Sequence, residues 1–181
     1  MEILSDLSVY LSNPRNTLNK KLLKICMTVK SAIPACDRVG IWLFCSDYSE
    51  MISIMCVDEL EEKSVGESLI ANECKAYFAH LRENEFLVAS DARNNDITKS
   101  FNNDYFDVHD IHSLLDITFK KDFLPLGVIC CERTGDQTEW QPQDIKMLQS
   151  ISVKASVFIS NIVSDTYTIR SKENIIKMLN A

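Results

Sequence analysis

The chain has 181 residues, 46% of them hydrophobic and 25% charged, a composition typical of a globular protein with one well-formed core. Its formal net charge of −7 argues against nucleic acid or an anionic membrane surface as the main partner. No apolar run approaches the ~20 residues that cross a bilayer, so we expect no membrane span. The N-terminal stretch MEILSDLSVYLSNPRN also lacks the basic start of a secretory signal. We therefore expect a cytoplasmic protein.

The first 36 residues predict two helices. Apolar residues recur at helical spacing over Ile3–Leu11, and Asn13–Pro14 then interrupt the pattern. A second apolar stripe over Leu18–Ile33 follows Asn16 or Thr17, either of which can cap a helix.

The next segment predicts an antiparallel hairpin, in which the strands RVGIWLFCS and MISIMCVD are joined by the turn DYSE. Alternation places Val39, Ile41 and Leu43 on one face of the first strand. Trp42 and Phe44 then point to the other face. A strand that is apolar on both faces is covered on both faces, so we expect it at the centre of a sheet.

The middle of the chain alternates charged loops with short elements. ELEEKSVGESL is a charged loop, NECKAYFAHLREN predicts a helix with Cys74, Phe78 and Leu81 on one stripe, and FLVAS predicts a strand. The stretch DARNNDITKSFNNDYFDVHDIH is long, polar and rich in aromatic residues, with a brief helix expected near Tyr105. Loops of this length in a compact domain are usually functional or mobile.

A second hairpin, SLLDITFK and LPLGVICCE, leads to the last helix. With Gln141 as N-cap, Pro142 takes the first helical position and Asp144 can reach back to the cap. Trp140 and Ile145 then occupy the two positions of a hydrophobic staple. The alternative is that Trp140 belongs to a ligand cage.

Seven cysteines and three histidines could carry thiol or metal chemistry. Without a secretory signal, the cysteines are expected to be reduced thiols. Cys130 and Cys131 would point to opposite faces of their strand, where each packs as a small apolar side chain. His109 and His112 have no third ligand at a suitable spacing, so we expect no metal.

From Arg38 to Ile159 the sequence resembles a GAF domain, the sensory module common in bacterial signalling proteins. The resemblance is carried, in order, by RVGIWLFCSDYSEM, ECKAYFAHLRENEFLVASDARNND, SLLDITFKKDFLPLGVICCE and WQPQDIKMLQSISVKASVFI. It implies a GAF/PAS-like α+β fold with an antiparallel sheet of five or six strands. The N- and C-terminal helices would pack on one face, and a pocket roofed by a helix and loops would lie on the other.

The resemblance comes without the family's better-known ligands. After SLLD, Thr118 stands where such domains often carry proline, which affects only a local bend. No cysteine sits in a bilin-binding context, and NNDITKSFNNDYFD does not reproduce the residue set of cyclic-nucleotide-binding relatives. With no metal signature either, the cofactor stays unknown.

The implied pocket is lined by the sheet face opposite the terminal helices and by residues 91–112. The candidate ligand-binding residues are Trp42, Phe44, Asp91, Phe101, Tyr105, Phe106, Asp116, Cys131 and Glu132. The two strand aromatics are more simply explained as ordinary core, and Asp91 as the cap of a turn. Asp116 lies within a strand and therefore needs a partner, which Arg38 or Arg93 could supply.

We expect three parts: a helical segment 1–36 that packs with the C-terminal helix, a sensory domain 37–163, and a helical extension 164–181. Residues of a dimerisation and signalling helix recur at heptad-like spacing: Leu148, Ala155, Phe158, Ile162, Ile169 and Ile176. Asp165 and Lys172 interrupt this pattern. A terminal helix packed on the N-terminal one is one interpretation, and a dimer stalk towards an output module is the one we favour.

These features predict a non-catalytic input domain that senses an unidentified small molecule in a bacterial signalling protein such as a two-component system. It would form a homodimer through its terminal helices and precede an output domain such as a histidine kinase or a diguanylate cyclase. One alternative is a pocketless structural dimerisation module. Another is a thiol-dependent methionine sulfoxide reductase, in which Cys74 or Cys131 would serve.

Overall fold

The computed structural model describes residues 2–166 and 170–180. Within these ranges the α-helices are α1 (Glu2–Ser12), α2 (Leu18–Ala32), α3 (Lys75–Glu83), α4 (Asp107–His109), α5 (Pro142–Thr166) and α6 (Lys172–Leu179). The strands are β1 (Arg38–Phe44), β2 (Glu50–Val57), β3 (Lys63–Ser64), β4 (Ser68–Ile70), β5 (Phe86–Ala89), β6 (Ile111–Lys121) and β7 (Leu124–Thr134). A 3₁₀ turn (Lys99–Phe101) and a π-helical turn (Asn102–Phe106) lead into α4.

All strands pair antiparallel in one sheet, in the order β3-β2-β1-β7-β6-β5, and β4 also pairs with β2. Both predicted hairpins form, as β1–β2 and β6–β7. The predicted antiparallel α+β fold is therefore confirmed. The stretch expected to be only a charged loop contributes the short strands β3 and β4, which pair with β2.

The sheet has a hydrophobic core on each face. Val39, Ile41 and Leu43 of β1 belong to the core beneath the terminal helices. Trp42 and Phe44 belong to the core beneath α3 and the segment 99–109. We call α3 and this segment together the roof. The predicted division of the two faces of β1 is confirmed, because alternate side chains of a strand point to opposite faces.

Cys130 and Cys131 divide in the same way. Cys130 faces the roof, whereas Cys131 packs beneath the terminal helices. The prediction that the pair packs on opposite faces is confirmed, but the expectation that Cys131 lines a pocket on the roofed face is wrong. The reason is strand alternation, since β7 pairs residue for residue with β1 and Cys131 lies opposite Val39.

The start of α5 follows the predicted capping pattern. The Asp144 carboxylate accepts a hydrogen bond from the Gln141 backbone N–H at 2.8 Å. Trp140 is 6% exposed and packs with Ile145 into the core beneath the terminal helices. The staple is thus the role that the packing of Trp140 supports, rather than the alternative of a ligand cage.

Helices α1 and α2 contact α5 on the face opposite the roof. Among the seam residues of α5, Leu148 and Ala155 are buried, and Phe158 and Ile162 are half-buried against the same core. The predicted seam position Ile169 lies outside the described residues.

The C-terminal end differs from the predicted extension of one helix. Helix α5 ends at Thr166, and α6 is a separate helix that packs back against β2. Ile175, Met178 and Leu179 of α6 are buried in the core beneath the terminal helices, and Ile176 packs partly against it. The apolar residues of α6 that suggested a stalk are thus packed against the domain's own core.

Three hydrogen bonds hold Arg170, just before α6, against the end of β1. The Ser46 N–H donates to the Arg170 carbonyl at 2.8 Å, and the Arg170 N–H donates to Ser46 Oγ at 2.8 Å. The Arg170 Nε–H donates to the Phe44 carbonyl at 2.9 Å.

In the described parts of the chain, no helix combines the length and apolar character needed to cross a bilayer.

Candidate functional site

The centre of the roofed face is a packed aromatic core. Its buried rings are Trp42, Phe44, Tyr77, Phe78, Phe101 and Phe106. Tyr77 and Phe101 meet edge to face with centroids 4.8 Å apart, and Phe44 and Phe78 do so at 5.7 Å. Such pairs stabilise the core beyond the area they bury. The protein's own side chains therefore fill the middle of this face.

Asp116 is fully buried in this aromatic core. The Tyr77 hydroxyl donates to Asp116 Oδ2 at 2.6 Å, and no described residue bonds its Oδ1. Burial raises the pKa of Asp116 to about 7. The expected ion pair with Arg38 or Arg93 is wrong, because both guanidinium groups are engaged elsewhere.

Arg38 forms what we call the Arg38 cluster, with Glu67, Tyr105 and Glu132. Its Nη1 lies 2.5 Å from Glu132 Oε2, in a pair that is almost completely buried. The Tyr105 hydroxyl donates to Glu132 Oε1 at 2.9 Å, and Arg38 Nη2 lies 3.7 Å from Glu67 Oε2. Burial and the Glu132 charge raise the pKa of Tyr105, so its hydroxyl stays a neutral donor. The cluster joins β1 and β7 to the roof.

A cleft of about 360 Å³, which we call the aromatic cleft, opens beside this cluster. Its rings are Trp42 of β1 and Phe101 and Tyr105 of the roof. Its carboxylates are Glu67, Glu73 and Asp104. Cys74, Ser100 and His109 also line it.

A second cleft of similar volume, the loop cleft, shares Glu67 and His109 with the aromatic cleft. Its other charged residues are Arg38, Asp58, Glu59, Glu62, Lys63 and Asp110. Acidic residues therefore outnumber basic ones in both clefts.

The predicted ligand-binding residues divide among these sites. Trp42, Phe101 and Tyr105 line the aromatic cleft. Phe44 and Phe106 are buried in the aromatic core, and neither lines the two clefts.

The predicted acidic residues have structural partners instead. Asp91 caps a turn, since its Oδ1 accepts from the Asn94 backbone N–H at 3.3 Å and its Oδ2 accepts from the Asn94 side-chain amide at 2.8 Å. Glu132 is held beneath the clefts by Arg38 and Tyr105.

Sequence reasoning missed the acidic rim of the aromatic cleft. Glu67 belongs to the predicted charged loop, Glu73 to the start of the stretch NECKAYFAHLREN that predicts a helix, and Asp104 to the long polar stretch. The available signal was the run of acids between Asp58 and Glu73, in which Lys63 is the only basic residue. The convergence of this run with Asp104 depends on the docking of the roof.

All seven cysteines are free and buried. Burial raises the pKa of Cys74, and the carboxylates of Glu73 and Asp104 raise it further. The pKa of Cys131 is also raised by burial. Thiol-dependent reduction needs an accessible thiol with a lowered pKa, so this environment counts against the reductase alternative.

The family model for the GAF domain matches residues 20–159. Because this match spans most of the chain, the protein belongs to the GAF-domain family. GAF domains are in general sensory and regulatory modules. No curated protein matches the sequence.

Solved structures with this fold are distant in sequence. The GAF domain from Acinetobacter phosphoenolpyruvate-protein phosphotransferase is 15% identical with a TM-score of 0.72, and the match covers 92% of this chain and 96% of that one. The corresponding domain from Coxiella burnetii is 15% identical with a TM-score of 0.71, over 91% and 94% of the two chains.

The chromophore-binding domain of Stigmatella aurantiaca bacteriophytochrome is 13% identical with a TM-score of 0.64. That match covers 88% of this chain, which spans only 59% of the bacteriophytochrome domain. Similarity at this level of identity establishes a shared fold.

Proposed function

We propose that the chain is a small-molecule-sensing, non-catalytic input domain of a cytoplasmic bacterial signal-transduction protein. The aromatic cleft carries this proposal, because its volume of about 360 Å³ lies within the range of roughly 300–1,000 Å³ typical of small-molecule sites. Trp42 contributes from the sheet, and Phe101 and Tyr105 contribute from the roof. A ligand in the cleft would therefore contact both layers at once.

The Arg38 cluster supplies a connection from the cleft to the sheet. Tyr105 lines the cleft, and its hydroxyl donates to Glu132 on β7. The preceding residue of β7, Cys131, packs beneath the terminal helices. A ligand that prefers one position of Tyr105 would thereby bias the sheet and those helices, provided that its affinity differs between the two states.

The sensory function is tested by a search for the ligand. Native mass spectrometry of the protein from its expression host should detect a co-purified small molecule, and a thermal-shift screen should identify compounds that stabilise the fold. A ligand at a hundredfold excess over its dissociation constant stabilises the native state by about 2.7 kcal/mol. Absence of a shift across broad classes of metabolite would contradict a sensory role.

We further propose a homodimer formed through the terminal helices. On the outer surface of α5, Val153 and Val157 are 62% and 63% exposed and lie one turn apart. Val9 of α1 is 71% exposed. Burial of these valines against a second copy would remove apolar surface from water. An output module such as a histidine kinase or a diguanylate cyclase would then respond to a change within the dimer.

The dimer is tested by replacing both valines of α5 with aspartate. Val153→Asp with Val157→Asp should weaken dimerisation at least tenfold in analytical ultracentrifugation, because two charges would be buried without partners. Val108→Asp is the matched control, since Val108 is 68% exposed on the roof. Equal dimer affinity for the double variant and the control would contradict the proposal.

A specific observation favours the structural alternative, a pocketless GAF domain used for dimerisation. The middle of the roofed face is filled by aromatic side chains, so a large internal cavity of the kind that encloses a chromophore has no room there. Under this alternative the valine variants would still lose the dimer, while every compound in the thermal-shift screen would leave the melting temperature unchanged.

A further inference from the structure

The aromatic cleft carries an excess of negative charge. Glu67, Glu73 and Asp104 line it, and no lysine or arginine of the described chain does. Glu67 Oε2 lies 3.7 Å from Arg38 Nη2, whereas neither Glu73 nor Asp104 forms an ion pair with a described residue. Burial and the Arg38 charge lower the pKa of His109, so this side chain is neutral at pH 7 and contributes no positive charge. An anionic ligand would therefore meet like charges.

Three aromatic rings line the same cleft, of which Trp42 and Phe101 expose only 1% and 4% of their surface. Trp42 and Tyr105 have centroids 6.3 Å apart, and those of Phe101 and Tyr105 are 6.2 Å apart, with steep angles between the ring planes. The face of an aromatic ring attracts a cation, and tryptophan does so most strongly. Tyr105 already has one such contact, since the Arg38 guanidinium carbon lies 5.3 Å from its ring centroid.

The surroundings reinforce the negative potential of the cleft. Glu73 lies one residue before Cys74, the N-cap of α3, and so adds a negative charge near the helix N-terminus. The adjoining loop cleft adds Asp58, Glu59, Glu62 and Asp110. Its basic residues are Lys63 and Arg38, and Arg38 is already paired with Glu132.

The carboxylates do not form a metal site. No group of three His, Cys, Asp or Glu side chains among residues 2–166 and 170–180 converges closely enough to hold a metal ion. Charges that are spread around aromatic rings match a larger cation, whose charge is distributed over several atoms.

We propose that the ligand of the aromatic cleft is a small organic cation, with an ammonium or guanidinium group packed on the aromatic rings and compensated by Glu67, Glu73 and Asp104. This inference rests on the sensory function proposed above and specifies its ligand class. A quaternary or primary amine with a short polar chain fits both the charge and the volume of the cleft.

The test is isothermal titration calorimetry on the full chain with choline, agmatine and spermidine as probes. The uncharged isostere of choline, 3,3-dimethylbutan-1-ol, separates charge from shape. At least one cation should bind saturably, and choline, if it is that cation, should bind at least about tenfold more tightly than its isostere. Raising the salt concentration should weaken binding, because partly exposed charges are screened.

Two exposed carboxylates allow a test that leaves the core intact. Glu73→Gln with Asp104→Asn removes two negative charges from the rim and should weaken cation binding by about tenfold. Glu2→Gln with Asp6→Asn removes the same two charges from the exposed surface of α1 and should leave binding unchanged. Equal losses in the two double variants would mean that only the net charge of the protein matters, and the proposal would be wrong.

The outcomes separate this inference from the sensory function. If no cation binds while neutral or anionic compounds raise the melting temperature, the ligand class is wrong and the sensory proposal stands. If choline and its isostere bind equally, the ligand class is likewise wrong. If cations, neutral compounds and anions all fail to bind, both proposals fall.

Discussion

Asp116 is a carboxylic acid enclosed by aromatic rings, and this environment sets its protonation. Its Oδ2 accepts a hydrogen bond from Tyr77, while its Oδ1 has no partner among the described residues. A carboxylate in such a site lacks the solvation that water would provide, so the protonated form is favoured. At the scale of one residue, this makes the stability of the roof depend on pH.

The sign of that dependence follows from the pKa of Asp116, which burial raises from an ordinary value of 3.8 to about 7. Between these values the folded state binds more protons at Asp116 than the unfolded state, so the contribution of Asp116 to stability is greatest below about pH 4 and is lost as the pH rises to 7. A shift of this size corresponds to a loss of up to about 4 kcal/mol. Urea denaturation between pH 4.5 and 7.5 should therefore show that the contribution of Asp116 to the free energy of unfolding decreases as the pH rises.

The comparison with Asp116→Asn isolates this group from the other carboxylates. The amide cannot ionise, so the variant should lose the decrease in stability between pH 4.5 and 7.5, relative to the wild type. Asp6→Asn on the exposed surface of α1 is the control and should keep the wild-type profile. Parallel profiles for wild type and Asp116→Asn would show that Asp116 does not titrate in this range.

At the scale of an element, the start of α5 shows how local chemistry directs a helix onto a sheet. Pro142 begins the helix, and Asp144 reaches back to the Gln141 N–H. Trp140, just before the cap, is buried in the core beneath the terminal helices. The capping interaction fixes where the loop ends and α5 begins. The buried indole of Trp140 fixes the angle at which α5 packs onto the sheet.

Gln141 is a weak point in this arrangement, because glutamine is a poor N-cap. Gln141→Thr should stabilise the protein by up to about 1 kcal/mol, since the threonine hydroxyl can accept from the first-turn N–H groups. The measurement is the free energy of unfolding in urea. Gln143→Thr, inside the first turn, is the control and should be neutral or slightly destabilising. Equal effects of the two substitutions would contradict the assignment of the cap.

At the scale of the whole molecule, α6 closes the domain. It packs against β2, and Arg170 holds the preceding segment to Ser46 and Phe44. The C-terminal segment therefore covers the core beneath the terminal helices near β1 and β2. If an output module follows, its link would start from α6, so a displacement of β1 or β2 would reach it directly.

The contribution of α6 is measurable with two adjacent isoleucines. Ile175 is 3% exposed, whereas Ile176 is only partly buried. Ile175→Ala should cost about 2–4 kcal/mol, because it leaves a cavity in the core. Ile176→Ala should cost clearly less, because its site is already partly open to water. Equal losses measured by chemical denaturation would mean that α6 is not docked as described.

Local sequence patterns were sufficient to predict both hairpins, the two faces of β1 and the start of α5. These features depend on the alternation of strand residues and on capping chemistry within a few positions of the chain, both of which are visible locally. The family resemblance added the position of the terminal helices and the roofed face.

Of the candidate site, the sequence predicted the aromatic residues Trp42, Phe101 and Tyr105 but not the acidic rim. Glu67, Glu73 and Asp104 come from three separate segments, and only the docking of the roof brings them to one cleft. The partner of Asp116 was missed for the same reason, because Tyr77 reaches it from a helix 39 residues earlier in the chain.

The sequence by itself determined the two hairpins, the main helices and the alternation of β1 residues between two faces, since local spacing dictates these features. The tertiary structure alone decided that α6 folds back onto the sheet and that Arg38 pairs with Glu132. These contacts join residues distant in the chain, so their formation depends on competition among all the apolar and charged surfaces of the folded molecule.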